Sequence, residues 1–200
     1  MKRVTLILAA LALLIGGVGQ AKADLIVNGG FETGDFTGWT SNMAPSLLVE
    51  PTGHAGIPSH SGGYYANFGS NSSQPGVISQ TITDTSGSNY TLGMWVLGDG
   101  GANEFTVKWN GTTIYDMSIP DTLHVPTPYY IQLSFTVQGT GTDTLTLQGW
   151  DNGSNPGAIG LDDVSLNPAG SVVPEPSSLT LLGLGAAGLV GYRWRRRQSA

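Results

Sequence analysis

Few side chains in this sequence have the types and spacing that catalysis requires. His54, His60 and His124 stand in segments rich in Gly and Pro, without the spacing of a metal-binding pair. The sequence contains no Gly-x-Ser-x-Gly motif and no glycine-rich phosphate-binding loop. Glycoside hydrolysis needs two carboxylates at a defined separation, which sequence does not fix. We therefore predict that the protein is not an enzyme.

Aromatic side chains offer a different chemistry, the stacking of sugar rings. An exposed ring stacks on the C–H face of a pyranose, and amides and carboxylates supply hydrogen bonds. Trp95 lies opposite the apolar face of its strand, and Trp150 and Asp151 lead into a polar loop. We predict these three as ligand-binding residues, with core packing as the alternative for each tryptophan. Trp39 is predicted to be a core residue.

Short apolar or alternating runs between Gly, Asn, Ser and Asp predict the elements that position these side chains. Residues 24–170 have no helical periodicity of useful length, so we predict an all-β sandwich. The Asn110-Gly111 pair is typical of a two-residue hairpin turn. The predicted strands are Leu25–Asn28, Leu47–Glu50, Tyr64–Phe68, Gly76–Thr83, Tyr90–Leu97, Glu104–Asn110, Thr112–Met117, Tyr129–Val137, Thr144–Trp150 and Ala158–Leu166.

The charges are distributed very unevenly. Of eight Lys and Arg, only Lys108 lies in residues 24–173, which hold all but one of the 14 acids and therefore carry a net charge of −12. Such a surface repels nucleic acid, so we predict no nucleic-acid partner. Cysteine is absent, so an exported domain must be stabilised by its core and by any metal that it binds.

The N-terminus is typical of a secretory signal peptide. Lys2 and Arg3 precede an apolar run that extends to Val18, and Ala21 and Ala23 form an Ala-x-Ala cleavage site. We predict a signal helix in residues 1–23, removed by signal peptidase after Ala23. An uncleaved membrane anchor is the alternative, but the apolar run is short.

The C-terminus has three features in order. Pro174, Glu175 and Pro176 are followed by the apolar run Leu179–Tyr192 and then by a cluster of arginines. We predict a linker in residues 168–178 and a transmembrane helix in residues 179–197, whose positive end stays in the cytoplasm. The arginines of this predicted stop are Arg193, Arg195, Arg196 and Arg197.

This ordered set resembles the PEP-CTERM sorting signal of Gram-negative bacteria that produce exopolysaccharide. The resemblance implies recognition by an exosortase in the membrane, with removal of the tail near the Pro-Glu-Pro segment. It implies an exported protein of the envelope or extracellular matrix, anchored in the cytoplasmic membrane before or without processing. It does not define the ligand of the exported domain.

A second resemblance is carried by the two edges of the domain. The segment Leu25–Trp39, with its Asn-Gly-Gly-Phe-Glu sequence, and the segment Ile159–Leu166 are similar to galactose-binding-like jelly rolls, which include carbohydrate-binding modules. The resemblance implies a structural calcium held by Glu32 and Asp162, with Asp163 as the competing ligand. Strand parity favours Asp162, since uniform alternation gives it the same face as Val164 and Leu166.

The domain is therefore predicted to be a noncatalytic jelly roll of 24–167, structural or adhesive, with weak binding of glycan. The first alternative is a dedicated carbohydrate-binding protein with a defined saccharide ligand. The more distant alternative is a secreted enzyme that degrades polysaccharide.

Overall fold

The computed structural model describes residues 24–45, 47–69, 74–98, 103–119, 129–151 and 158–170. Residues 23–169 form one compact unit with its own hydrophobic core, so this part of the chain can fold by itself. The predicted signal helix and transmembrane helix lie outside the described residues. Within those six ranges, no helix is long and apolar enough to cross a membrane.

The described residues form ten strands in two five-stranded antiparallel sheets. The strands are β1 (Thr40–Ser41), β2 (Leu47–Pro51), β3 (Tyr64–Phe68), β4 (Gly76–Thr83), β5 (Asn89–Gly98), β6 (Asn103–Trp109), β7 (Thr112–Ser118), β8 (Ile131–Gln138), β9 (Thr142–Asp151) and β10 (Ile159–Pro168). Sheet A has the order β1-β4-β9-β6-β7, and sheet B has the order β2-β3-β10-β5-β8. The predicted all-β sandwich is confirmed.

Alternating side chains of the two sheets build the core between them. In β5, Tyr90, Leu92, Met94 and Val96 are buried, as the alternation predicts, and Trp95 lies on the other face. Burying a large apolar side chain stabilises the fold by roughly 1.5–3 kcal/mol. The inner faces thus hold the sandwich together, and the outer faces are left for other roles. Trp39 is buried in this core, as predicted.

The hairpin between β6 and β7 has the turn that its sequence predicts. Asn110 and Gly111 both have positive φ, 50° and 77°, as a type I′ turn requires. Such a turn matches the twist of the flanking strands, which fixes the register of Trp109 opposite Thr112.

The predicted strand Leu25–Asn28 is wrong. This segment is a series of bends and turns, and Asn28 has a positive φ of 53°. The Asp24 carboxylate accepts from the backbone N–H groups of Ile26 (3.0 Å) and Leu166 (2.8 Å), which turns the chain at the end of β10. The short strand β1, which the sequence did not indicate, pairs with β4 instead.

Candidate functional site

A loop of residues 52–63 covers the outer face of sheet B. Its ends meet where Thr52 N–H donates to the Gly63 carbonyl at 2.9 Å. Ile57 is 1% exposed and belongs to a second hydrophobic cluster beneath the loop. The other members of this cluster are Tyr65, Leu97, Tyr130 and Ala158, with Trp95 packed against them.

Two carboxylates from opposite ends of the domain bind the backbone of this loop. Asp162 Oδ2 accepts from His60 N–H (2.9 Å) and Ser61 N–H (3.1 Å). Glu32 accepts from Gly63 N–H at 3.0 Å and from Tyr64 N–H at 3.1 Å. The first turn of the domain and its last strand are therefore joined through one loop.

The side chain of His60 is held on three sides. Its Nδ1 lies 2.6 Å from Asp163 Oδ2, and its ring stacks on Trp95 with centroids 4.0 Å apart and planes 15° apart. Tyr130 packs edge-on against the ring at 5.4 Å and donates to the Pro58 carbonyl at 2.8 Å. The imidazole thus joins the loop to β5 and to the start of β8.

A β-bulge in β10 decides which way its acidic residues point. Asp162 pairs with Trp95, but Ser165 pairs with Gly93, so the β10 side carries one extra residue. Asp163 has a positive φ of 49° within this bulge. Asp162 therefore lies on the outer face with Trp95. The uniform alternation that gave it the face of Val164 and Leu166 is wrong.

Asp162 is nevertheless 0% exposed, because the loop covers it. Burial raises its pKa to about 6, against the opposing effect of backbone hydrogen bonds from Ser61 and Asp163. Lys108, the one basic residue apart from histidine in residues 24–173, lies in β6 of the other sheet. The side chains that contact Asp163 in this cluster are those of His60 and Ser61.

Two of the predicted calcium ligands, Asp162 and Asp163, converge near Gly30, while the Glu32 carboxylate lies against Gly62 and Gly63. A Cβ atom at Gly30 would lie 3.4 Å from Asp163 Oδ1, 3.8 Å from Asp162 Oδ1 and 3.8 Å from Glu32 Cγ. Carboxylate oxygens with little opposing positive charge fit the chemistry of Ca²⁺, which takes 6–8 oxygen ligands. Across the described residues, no group of three His, Asp or Glu is placed to hold a metal. Calcium here would therefore need backbone carbonyls as well.

The predicted ligand-binding residues lie on different faces. Trp95 is half-buried on sheet B, and one face of its ring is covered by His60. Trp150 is half-buried on the outer face of sheet A, opposite Glu104. Asp151 ends β9 opposite Asn103, and its side chain lies outside what the structure describes. Trp95 and Trp150 are therefore not parts of one site.

The outer face of sheet A is polar and follows the strand registers. One row across the sheet is Val77, Gln148, Thr106 and Asp116, and the next is Ser79, Thr146, Lys108 and Thr113. Thr106 Oγ1 donates to Asp116 at 3.0 Å. Trp150 stands beside the first row, so this face combines a ring with hydrogen-bonding groups. Sequence reasoning missed Thr106 and Asp116, although their alternation with Phe105 and Tyr115 gives the signal.

Sequence reasoning also missed the role of His60, because its partner Asp163 is 103 residues away along the chain. No local sequence pattern predicts such a contact.

Comparison with solved structures supports a jelly-roll assignment. The chain is similar to TmCBM61, solved in complex with beta-1,4-galactotriose, at 20% identity over 74% of this chain and 99% of that one, with a TM-score of 0.58. It is similar to the K3 cleaved adhesin domain of Lys-gingipain from Porphyromonas gingivalis, at 13% identity over 72% and 99%, with a TM-score of 0.51. A CBM22-1 xylan-binding domain from Paenibacillus barcinonensis is a weaker match, at 15% identity over 78% and 100%, with a TM-score of 0.48.

At these identities the likeness defines the fold, a jelly-roll β-sandwich of the kind found in carbohydrate-binding modules. Residues 172–197 match the PEP-CTERM protein-sorting motif, as the sequence predicted. This motif marks an exported protein of the cell envelope. No curated protein matches the chain.

The contacts of His60 predict that its removal weakens the domain. We expect His60→Ala to lower the free energy of unfolding by about 1–3 kcal/mol, because it removes the stacking on Trp95 and the bond to Asp163. His54→Ala is the matched control, since His54 lies in the same loop with its side chain 51% exposed and should change stability by less than about 0.5 kcal/mol. Urea unfolding of both variants measures the difference, and equal effects would contradict this role of His60.

Proposed function

We propose that this is a noncatalytic protein of the bacterial envelope or extracellular matrix, sorted by an exosortase-type system, with a structural or adhesive role and weak glycan binding. The sorting motif at residues 172–197 is the observation that carries the proposal. The jelly-roll fold of the domain supports the part about glycan.

The outer faces of the two sheets differ, and the difference favours sheet A as the face that binds glycan. On sheet B, the loop of residues 52–63 covers Trp95, Tyr65 and Leu97. On sheet A, the amide of Gln148 and the carboxylate of Asp116, which accepts from the buried Thr106 hydroxyl, share the face with Trp150. A ring beside such groups has the composition that sugar binding needs.

A dedicated carbohydrate-binding protein with a defined saccharide ligand is the second candidate. The similarity to TmCBM61, which was solved with a galactotriose, favours it. Saturable binding of a single saccharide class would distinguish it from a weak, general affinity for glycans.

Removal of the sorting segment should change the fate of the protein. We expect deletion of residues 174–176 in the full chain, expressed in its own host, to leave the C-terminal tail uncut and to alter the fraction retained in the membrane. Cell fractionation and intact-mass measurement test this. Deletion of Gly170 and Ser171, which stand between the end of β10 and the matched motif, is the control. Unchanged tail length and unchanged retention would contradict the sorting proposal.

Glycan binding, where present, should depend on sheet A. We expect Trp150→Ala in residues 24–170 to abolish binding on a glycan array, since a stacked ring is worth about 0.5–1.5 kcal/mol beyond its buried area and binding is weak. Trp95→Ala is the matched control and should retain binding once its fold is verified by circular dichroism. Binding that survives Trp150→Ala but not Trp95→Ala would contradict the choice of face, and a blank array would contradict glycan binding.

A calcium ion at Glu32 and Asp162 should stabilise the domain. We propose that it would be held by these carboxylates, with Asp163 nearby, because the buried Asp162 has little positive charge around it. Excess Ca²⁺ over EDTA is expected to raise the melting temperature by roughly 5–10 °C, and the double variant Glu32→Gln/Asp162→Asn should lose this response. A wild-type melting temperature that EDTA leaves unchanged would contradict the calcium site.

A further inference from the structure

A second acidic pair lies at one end of sheet A, away from the loop of residues 52–63. Asp84 follows β4, and Asp143 is 0% exposed in β9. The two carboxyl groups are neighbours, because they accept from the adjacent backbone N–H groups of Gly141 (2.8 Å, to Asp84) and Thr140 (2.7 Å, to Asp143). Two ionised carboxylates side by side, with Asp143 fully buried, repel each other, and a proton or a cation relieves this repulsion.

Asp143 is surrounded by donors. Asn110 Nδ2 and Thr140 Oγ1 donate to its Oδ1, the latter at 2.6 Å, and Thr140 N–H donates to its Oδ2 at 2.7 Å. The Asn110 side chain is fixed in turn, because its Oδ1 accepts from Thr144 N–H at 2.8 Å. A carboxyl group that accepts several hydrogen bonds is the ionised member of the pair.

Asp84 has the opposite environment. Its Oδ1 accepts from Gly141 N–H at 2.8 Å, but its Oδ2 is buried and has no donor within the described part of the chain. Gly139 packs closely here, since a Cβ at this position would lie 2.4 Å from Asp84 Oδ2. A proton on Oδ2 turns this oxygen into a hydrogen-bond donor, and its acceptor is the Asp143 carboxylate.

Few other charges act at this end of the sandwich. Asp143 is the charged group that acts on Asp84, and Lys108 is the one Lys or Arg in residues 24–173. The other titratable side chain nearby is Tyr90 of β5, whose hydroxyl accepts from Thr85 N–H at 2.9 Å. Among the described residues, no basic side chain acts on either carboxyl group.

We propose that Asp84 and Asp143 share one proton in mildly acidic solution, with Asp84 as the neutral donor and Asp143 as the ionised acceptor. The shared proton joins three turns, since Asp84 belongs to the β4–β5 turn, Asn110 to the β6–β7 turn, and Thr140 and Gly141 to the β8–β9 turn. We call the shared proton and the three turns that it joins the clasp. Deprotonation of Asp84 breaks the clasp.

The pKa directions agree with this geometry. Burial raises the pKa of Asp84, and the hydrogen bond and charge of Asp143 raise it further. Burial opposes ionisation of Asp143, but hydrogen bonds from Asp84, Asn110 and Thr140 outweigh it and lower its pKa to about 2.

The two shifts have opposite consequences for stability. A raised pKa means that the folded state holds a proton which the unfolded state releases, so stability falls as pH rises through the pKa of folded Asp84. The lowered pKa of Asp143 means that stability also falls when pH drops from about 4 towards 2. The shared proton is therefore in place between the pKa of folded Asp143 and the higher pKa of folded Asp84.

Two isosteric variants of residues 24–170 test the proposal. In Asp84→Asn the amide donates to Asp143 in place of the proton, so the melting temperature at pH 7 should be unchanged or higher, with a flatter pH dependence above pH 4. In Asp143→Asn an amide N–H₂ faces donors, and the melting temperature should fall by about 3–10 °C. Asp116→Asn, at an exposed position of β7, is the control and should have little effect.

Carbon-13 titration of the side-chain carboxyl groups provides an independent readout. We expect one carboxyl carbon of the pair to titrate above the ordinary range of aspartate and the other to stay ionised to about pH 2–3. Equal destabilisation by Asp84→Asn and Asp143→Asn, or two carboxyl groups with ordinary titration, would overturn the shared proton. A calcium-dependent rise in melting temperature that Glu32→Gln/Asp162→Asn retains and Asp84→Asn removes would overturn it in favour of a bridging cation.

Discussion

The hydrogen bonds from one loop to the carboxylates of Glu32 and Asp162 are the constraint on which the domain's organisation depends. Glu32 lies in the first turns of the domain and Asp162 in its last strand, so the loop of residues 52–63 joins the two ends of the domain. Asp162 is fully buried at this junction, and a buried carboxylate is costly unless it finds partners. Here the backbone N–H groups of the loop supply those partners, and the loop is fixed as a result.

Because this loop is fixed, the two outer faces of the sandwich differ from each other. The face of sheet B is covered, and Trp95 becomes the base on which His60 stacks. The face of sheet A keeps its rows of polar side chains beside Trp150. The same fold thus has one face that a loop covers and another that carries polar rows, and residues 172–197 match the sorting motif.

The sequence predicts most of the strands because alternation and turn residues are local signals. The alternation from Tyr90 to Val96 and the Asn110-Gly111 pair are each sufficient to predict the local structure, and both predictions were correct. The segment Leu25–Asn28 was not, because its turns are fixed by Asp24 and Leu166, which meet only in the folded chain. Local patterns cannot report such contacts.

The candidate site was harder to predict for the same reason. Acidic residues at 32, 162 and 163 were identified through a resemblance, but the orientation of Asp162 depends on a bulge whose centre is a non-glycine residue with positive φ. Because this residue is not glycine, the sequence does not indicate that the backbone has a positive φ there. The covering of Trp95 depends on contacts of His60 with β5 and β10, and those contacts are set by tertiary packing.

Hydrogen exchange at the loop amides tests the central constraint most directly. The N–H groups of His60 and Ser61 are bound by Asp162, and those of Gly63 and Tyr64 by Glu32. We expect all four to exchange at least about 100-fold more slowly than in an unstructured peptide, although they lie outside the ladders of the two sheets or at their margin. Exchange of these amides at the rate of an unstructured peptide would contradict the account.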